Sequence, residues 1–279
     1  MKPETFVLLP ASLASDSYEL SQKTIKVGMV GRALAIFQVD KVCIYSDDEP
    51  QVRNQEKEKK LITILLNYME TPQYLRKILF PVKEELRYAG LLPPLRTPHH
   101  PLGGEKNRPG DYREGAVINI GKKSLVEIGL PTKGITDAKV RLRQRLSLRL
   151  GERAEEFIPV TPVRKGEIPE YWGYEVLEAK SLADGLDLLK PELKVGTSRL
   201  GQNLYELEKS IKGERARSVA VAFGGPYAGL QKICERQGTS VEGIFDLVVN
   251  TVPDQGTVTV RAEEALVATL SLLNTFRRK

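Results

Sequence analysis

The feature that most constrains this chain is a hydrophobic period that changes twice along its length. Phe6–Leu9 is a short apolar run stopped by Pro10, and Ser15 and Asp16 follow as candidate helix caps. Tyr18, Ile25, Met29, Ala33 and Ile36 then recur at roughly helical spacing through Ser17–Phe37, and Val39–Tyr45 is the next apolar run. Strand, crossover helix and strand at this spacing make a βαβ unit, which commits the first quarter to a parallel sheet. Gln55–Glu70 predicts a second helix, with a charged first turn ahead of Leu61, Ile64, Leu65, Tyr68 and Met69.

The texture breaks near Gly90-Leu91-Leu92-Pro93-Pro94, and Leu95–Gly110 is rich in Pro and Gly and reads as loop. Beyond Gly115 the runs are short and strand-like: Ala116–Ile120, Ser124–Ile128, Ala138–Leu142 and Glu156–Val163, separated by Gly, Pro or Lys turns. Such a series suits a small β-barrel of the oligonucleotide-binding kind. After Trp172 and Tyr174 the first texture returns. Val195–Ser198, Val219–Phe223 and Phe245–Val249 read as strands, and Ala228–Gln237 and Glu263–Asn274 as helices. The expected fold is therefore one discontinuous α/β domain, residues 1–92 and 175–279, with a β-module, residues 93–174, inserted into it.

Composition narrows the function classes. Hydrophobic residues make up 41% and charged residues 28%, which is enough apolar material for a packed core. Cys43 and Cys234 are the only cysteines and have no paired spacing, so a reducing, cytoplasmic setting is expected. With only His99 and His100 beside them, no metal site is expected. No apolar run approaches the roughly 20 residues of a membrane span. The many Glu, Lys and Arg residues lean toward a thermophile.

Three strand ends run into polar, glycine-bearing turns: Gly196-Thr197-Ser198-Arg199-Leu200-Gly201, Phe223-Gly224-Gly225-Pro226, and Asn250-Thr251-Val252-Pro253-Asp254-Gln255-Gly256-Thr257. In an open parallel sheet, ligands bind outside the carboxyl ends of the strands, and glycine lets backbone groups approach them. Any α/β protein has such turns, so it is their number that argues for a site. Neither a G-x-x-x-x-G-K-[ST] loop nor a G-x-G-x-x-G opening a helix is present. The turns therefore favour a ligand held by backbone groups without a pyrophosphate, and adenine joined to a zwitterionic amino acid is one such chemistry.

Several of these segments carry a resemblance. Glu4–Ala11, Gly90–Pro101, Tyr171–Tyr174, Thr197–Arg199 and above all Asn250–Ala265 make the chain similar to the archaeal and eukaryotic branch of the SPOUT methyltransferases, RNA methyltransferases with an inserted β-barrel. The resemblance spans nearly the whole chain. It implies a trefoil knot at the carboxyl end of the sheet, S-adenosylmethionine bound there, and a homodimer paired through helices near the knot. Knots are otherwise almost absent from proteins, so composition and periodicity could not have shown one. The family's cofactor loops would map onto Thr197, Arg199, Gly224, Gly225, Pro226, Asn250, Gln255, Gly256 and Thr257. The resemblance leans toward ribosomal RNA and a uridine ring nitrogen.

Arg32, in Val27-Gly28-Met29-Val30-Gly31-Arg32-Ala33-Leu34, resembles the first motif of tRNA 2′-O-methyltransferases in the wider superfamily, and it is the main catalytic candidate. A fixed guanidinium can hold a phosphate bidentately or stabilise developing charge. A helical arginine is as often a solvated surface residue. Arg261, at the end of the Asn250–Ala265 block, is the second candidate, with a local ion pair at a helix start as its bland reading.

The chain's net charge of +6 fits an anionic partner, and Lys122–Lys165 alone holds eleven basic against five acidic residues, an excess equal to the whole chain's. Within it Lys139, Arg141, Arg143 and Arg145 are the RNA-contact candidates. The last three alternate and would share one face if they lay on a strand. A solvated strand face is the competing reading. His99 and His100 sit in Thr97-Pro98-His99-His100-Pro101, where a structural role is favoured over base catalysis. The alternative to an enzyme is a non-catalytic RNA-binding or ribosome-assembly protein keeping the same fold. An intact cofactor block argues against it.

Overall fold

Each apolar run that flanks the β-rich middle becomes a strand or helix of one sheet. The computed structural model describes residues 4–101, 108–154, 156–203, 208 and 216–276, so part of the Leu95–Gly110 loop lies outside the described residues. The chain divides into two units: Met1–Asn67, Glu85–Pro93 and Tyr174–Lys279 form one, and Tyr68–Glu84 and Pro94–Gly173 the other.

The first unit is built on β1 (Glu4–Pro10), α1 (Leu20–Ile36), β2 (Lys41–Tyr45) and α2 (Gln55–Glu70), the last running on into the second unit. After the barrel come β8 (Glu175–Ala179), α4 (Leu182–Leu189), β9 (Leu193–Asn203), β10 (Ser218–Ala222), α5 (Leu230–Arg236), α6 (Val241–Ile244), β11 (Leu247–Asn250) and α7 (Ala262–Phe276). The six strands lie in the order β11-β9-β10-β1-β2-β8, every pair parallel. The centre of the sheet shows why. All five residues of β10 and six of the seven of β1 are buried, as expected of strands covered on both faces. One face packs Phe6, Leu8, Cys43 and Tyr45 against Leu182, Leu186, Leu230, Ile233 and Phe245. Burial pushes the Cys43 thiol up to about 12, so it is a core side chain and no nucleophile. β8 and α4 lacked a sequence signal. Ser181 caps α4, accepting a hydrogen bond from the Asp184 N–H at 3.1 Å. The cap expected at Ser15 and Asp16 is not used: α1 begins at Leu20 behind Glu19.

The second unit is a closed five-stranded barrel in the order β3-β4-β5-β7-β6. Its strands are β3 (Tyr112–Asn119), β4 (Ser124–Glu127), β5 (Lys133–Thr136), β6 (Arg145–Leu150) and β7 (Phe157–Val163), and α3 (Gln73–Leu79) packs on β3. Val117, Val126, Ile128, Leu148, Leu150 and Val160 fill the interior. The strand expected at Ala138–Leu142 is absent. Lys133–Thr136 takes its place in the barrel, and residues 137–144 form the turn into β6. The Arg141 N–H donates to Gln144 Oε1 at 2.8 Å and the Gln144 N–H to the Arg141 carbonyl at 3.0 Å, which closes that turn.

Candidate functional site

The carboxyl ends of β9, β10 and β11 converge. β9 pairs with β11 at Val195 and Gly196 and again at Gln202 and Asn203, while β11 advances only from Val248 to Val249. Residues 197–201 are thus thrown out as a large bulge. Gly201 permits it, because a Cβ there would come within 2.5 Å of the Val249 carbonyl carbon. Hydrogen bonds tie the bulge to the segment after β11. Asn250 Nδ2 donates to the Arg199 carbonyl at 2.9 Å, and Arg199 Nη1 donates to the Val258 carbonyl at 3.1 Å. Gln255 Nε2 donates to the carbonyls of Thr257 and Val258 at 2.8 and 3.1 Å. Thr197 Oγ1 links the bulge to β10 through the Ala222 carbonyl at 2.9 Å.

The third turn leaves β10 at Phe223. The Phe223 N–H donates to the Leu8 carbonyl at 3.0 Å, and the fully buried Tyr45 hydroxyl donates to the Phe223 carbonyl at 2.6 Å. Burial, with Asp47 nearby, holds the Tyr45 phenol well above its ordinary value, so it remains a donor. The Gly225 N–H closes the turn on the Ala228 carbonyl at 2.8 Å. A Cβ on Gly224 would lie 2.8 Å from Gly229 Cα, so only glycine fits there. Beneath the turn, Asp47 accepts from the Ser12 N–H at 3.2 Å and from Ser12 Oγ at 2.5 Å. Burial raises the Asp47 carboxyl, and the Ser12 bonds pull it part of the way back.

Together the turns wall a cleft of about 620 Å³, within the range of small-ligand sites. Of the residues expected there, Thr197, Arg199, Gly224, Gly225, Pro226, Asn250 and Gln255 line it, and Arg261 joins them. Gly256 and Thr257 are not on its wall; the Thr257 hydroxyl donates to the Thr259 carbonyl at 2.9 Å. Arg32 is not on the wall either. It stands half-buried on α1, so this chain does not bring it to its own cleft. Asp16, Lys26 and Gly229 are on the wall without a sequence signal to mark them. By sequence Asp16 reads only as a cap, and Lys26 sits inside a helix just ahead of the Val27–Leu34 motif and outside it.

In the barrel unit Lys139, Arg141 and Arg143 are exposed. The expectation of one strand face shared by Arg141, Arg143 and Arg145 does not hold, because β6 starts only at Arg145. Arg143 sits in the turn with φ 60°, and the side chain of Arg145 is drawn inward. Its Nε donates to Glu114 Oε2 at 2.5 Å and its terminal nitrogens bond both oxygens of Glu70. Burial alone would raise the Glu70 carboxyl, but the charges of Arg145 and Lys165, with His99, hold it well below the ordinary carboxylate range. Glu114 also accepts from Ser147 Oγ and Trp172 Nε1, each at 2.5 Å. His99 and His100 complete the cluster, their Nε2 atoms 2.9 and 2.8 Å from the Glu70 carbonyl oxygen. His99 is fully buried, which suits a structural role. Among the described residues, no group of three or more His, Cys, Asp or Glu is placed to hold a metal, and no helix is long and apolar enough to cross a membrane.

A parallel α/β sheet whose strand ends enclose a glycine-lined cleft defines a ligand-binding α/β protein. Comparison with known proteins sharpens the class. Residues 4–273 match the family model described as "Putative RNA methyltransferase". The chain is 30% identical to a human 28S rRNA (uridine-N(3))-methyltransferase, over 96% of this chain and 77% of that protein. It is 31% identical to an uncharacterized protein of Halobacterium salinarum, over 96% and 97%, and 32% identical to one of Haloarcula marismortui, over 96% and 98%. The chain belongs to this family of RNA methyltransferases.

Proposed function

We propose that the cleft binds S-adenosylmethionine and that the chain transfers its methyl group to N3 of a uridine in ribosomal RNA, as the names of the human, mouse and fly relatives state for those proteins. The observation that carries this reading is the convergence of three turns on one cleft in a chain of this family. The residues fit such a donor. Gly229 stands on the wall, and a Cβ there would meet nothing within 4 Å, so the cleft has room against bare backbone. Its polar groups are amides, hydroxyls and main chain, which suit adenine, together with the charges of Asp16, Lys26, Arg199 and Arg261, which suit an amino-acid zwitterion. When bound, the donor supplies an electrophilic methyl; the chain supplies position and electrostatics. Asn250, Gln255 and Arg199 fasten the loops to each other, and Tyr45, Ser12 and Asp47 hold the turn at residues 223–226 from below.

In this reading the crossing of the 197–201 bulge and the segment after β11 is the family's trefoil knot, and the closed barrel is an oligonucleotide-binding fold that grips RNA through Lys139, Arg141 and Arg143. Homodimerisation is supported by an exposed apolar stripe on α1. Ile25, Met29 and Ile36 are 47%, 53% and 57% exposed, and Val267 on α7 is 45% exposed. Arg32 shares that stripe by spacing, so a second copy docked there would receive it. Work on ribosomal RNA and two free, buried thiols suit the cytoplasm. The test is to incubate the protein with labelled donor and in vitro-transcribed large-subunit ribosomal RNA, then map the product. Label in 3-methyluridine is expected. Label in a ribose, or none with the donor bound, would overturn the assignment of the atom.

A further inference from the structure

Beside the donor cleft lies a second cavity of about 410 Å³ that donor binding does not require. Asp16, Lys26 and Arg261 stand in the walls of both, so the two spaces adjoin. The rest of its lining is mixed: Glu263 from the first turn of α7, Ser17 and Gln22, and the half-exposed Ile25 and Met29 of α1. At its base Lys26 is only 7% exposed. Its Nζ donates to both carboxylate oxygens of Asp16, at 2.8 and 2.9 Å, and stands 3.3 Å from Glu263 Oε2. Glu263 is itself 6% exposed, and its Oε2 accepts no hydrogen bond among the described residues.

A buried carboxylate oxygen without a hydrogen-bond donor is costly, and the Lys26 ammonium 3.3 Å away offsets its charge without satisfying it. Glu263 lines a cavity that adjoins the proposed donor site, and the Lys26 ammonium beside its inner oxygen fixes the carboxylate. Ile25 and Met29 flank the space, as a planar ring requires, at the edge of the stripe that the proposed second copy would close over, and Arg261 stands at the junction, where a phosphate can be met. We infer that this cavity receives the target nucleobase, that the base is one presenting a ring N–H, and that the Glu263 carboxylate accepts that proton. The inference rests on the methyl-transfer reading and deepens it.

The step balances. The ring N–H proton passes to the Glu263 carboxylate, and the nitrogen lone pair forms the N–CH3 bond. The S–CH3 bond breaks with its electron pair going to sulfur, leaving a neutral thioether. Specificity follows from the same carboxylate. N3 of uracil offers a hydrogen to the carboxylate, whereas N3 of cytosine offers a lone pair and is repelled. Lys26 touches no reacting atom; it is a positioning residue.

The test uses the full-length protein, S-adenosylmethionine and ribosomal RNA transcribed with either uridine or 5-fluorouridine, whose ring N–H is more acidic. Glu263→Gln leaves Lys26 its two bonds to Asp16, so the variant is expected to fold and to bind the donor within twofold of wild type by titration calorimetry. Its single-turnover methylation rate should fall by about 10²–10⁴-fold. The remaining rate should climb tenfold per pH unit as hydroxide replaces the carboxylate. The 5-fluorouridine transcript should restore much of the lost rate in the variant and change wild type little. A normal rate in Glu263→Gln, or a loss that the acidic base does not rescue, overturns the inference. If Glu263→Gln does not fold, Glu263→Asp decides: retracting the carboxylate should cost at least tenfold in rate, and a rate within twofold of wild type is the refuting result. Wild type that binds no donor would instead remove the methyl-transfer reading on which this stands.

Discussion

The two units handle buried charge differently. In the barrel unit Glu70 and Glu114 are 3% and 1% exposed, and Arg145, Lys165, Ser147 and Trp172 between them supply donors to their carboxylates. In the α/β unit Lys26 and Glu263 are also buried, yet an oxygen of Glu263 is left without a hydrogen bond in a residue that lines a cavity. Carboxylates whose oxygens are all paired rigidify and specify a fold; one left partly unpaired in a residue that lines a cavity is a candidate for binding something else. The contrast separates charge that builds the molecule from charge that works in it.

The barrel side can be broken most severely. Arg145→Ala strands two buried carboxylates, and losing one partner of such a cluster costs about 3–5 kcal/mol. Chemical denaturation should show the barrel unit weakened by that order, and an unchanged midpoint would mean the network is idle. A milder probe is acid. Burial, then the neighbouring His99, lowers His100 from its ordinary 6.5 to about 4. Its folded-state value lies below the unfolded one, so between those limits the unfolded chain binds more protons and stability falls as pH falls. The loss at pH 5 relative to pH 7 should be about 2 kcal/mol. Glu70 is depressed, so its contribution is present above the ordinary 4.5 and is lost only below it, a separate and more acidic phase. His100→Gln should flatten the first phase and leave the second; melting curves against pH read both.

The α/β side breaks without unfolding. Gly229 has backbone angles of −74° and 172°, which any residue adopts, and open space where a Cβ would stand. Gly229→Val should therefore melt like wild type yet lose at least about tenfold in donor affinity, equivalent to roughly 1.4 kcal/mol. Gly225 is a poorer probe than its place in the glycine turn suggests, because its added Cβ would strike Ser12 Oγ and disturb the Asp47 contact beneath the cleft. Unchanged calorimetry in Gly229→Val would move the donor elsewhere.

What can be read in the sequence divides along the same line. Apolar periods located the central strands and helices to within a few residues, because burial on both faces leaves a continuous signal in runs such as Val219–Phe223. The family resemblance, laid on the glycine-bearing strand ends, named nine cleft residues, and seven of them line the cleft. The misses have one cause: contacts across long separations leave no local trace. Lys26 meets Glu263 and Arg145 meets Glu70 across 237 and 75 residues. Alternation at Arg141, Arg143 and Arg145 looked like a strand because a turn and a strand start can share that spacing. Gly256 and Thr257 sit in a segment whose neighbours line the cleft, and only coordinates separate wall from support.

The smallest expected effect concerns the charges that neither network consumes. Lys139, Arg141 and Arg143 are exposed around the turn that leads into β6, whereas Arg145 is held by Glu70 and Glu114. If the first three contact RNA phosphates, each neutralises a phosphate and releases counterion. Removing one contact should then lower the log–log salt slope of binding by about 0.7 on single-stranded RNA. Arg141→Ala with Arg143→Ala should lower it by about 1.4 and weaken binding modestly at physiological salt, with donor affinity unchanged. Arg145 offers a control that only the folded structure reveals. A barrel that survives Arg145→Gln should bind RNA with the wild-type slope, since the lost charge faces inward. Filter binding from low to high salt measures all three proteins. A wild-type slope in the double variant would make these arginines solvated surface. A lowered slope in Arg145→Gln would show that the inward charge reaches RNA after all, and the division between building and working charge would fail on the barrel side.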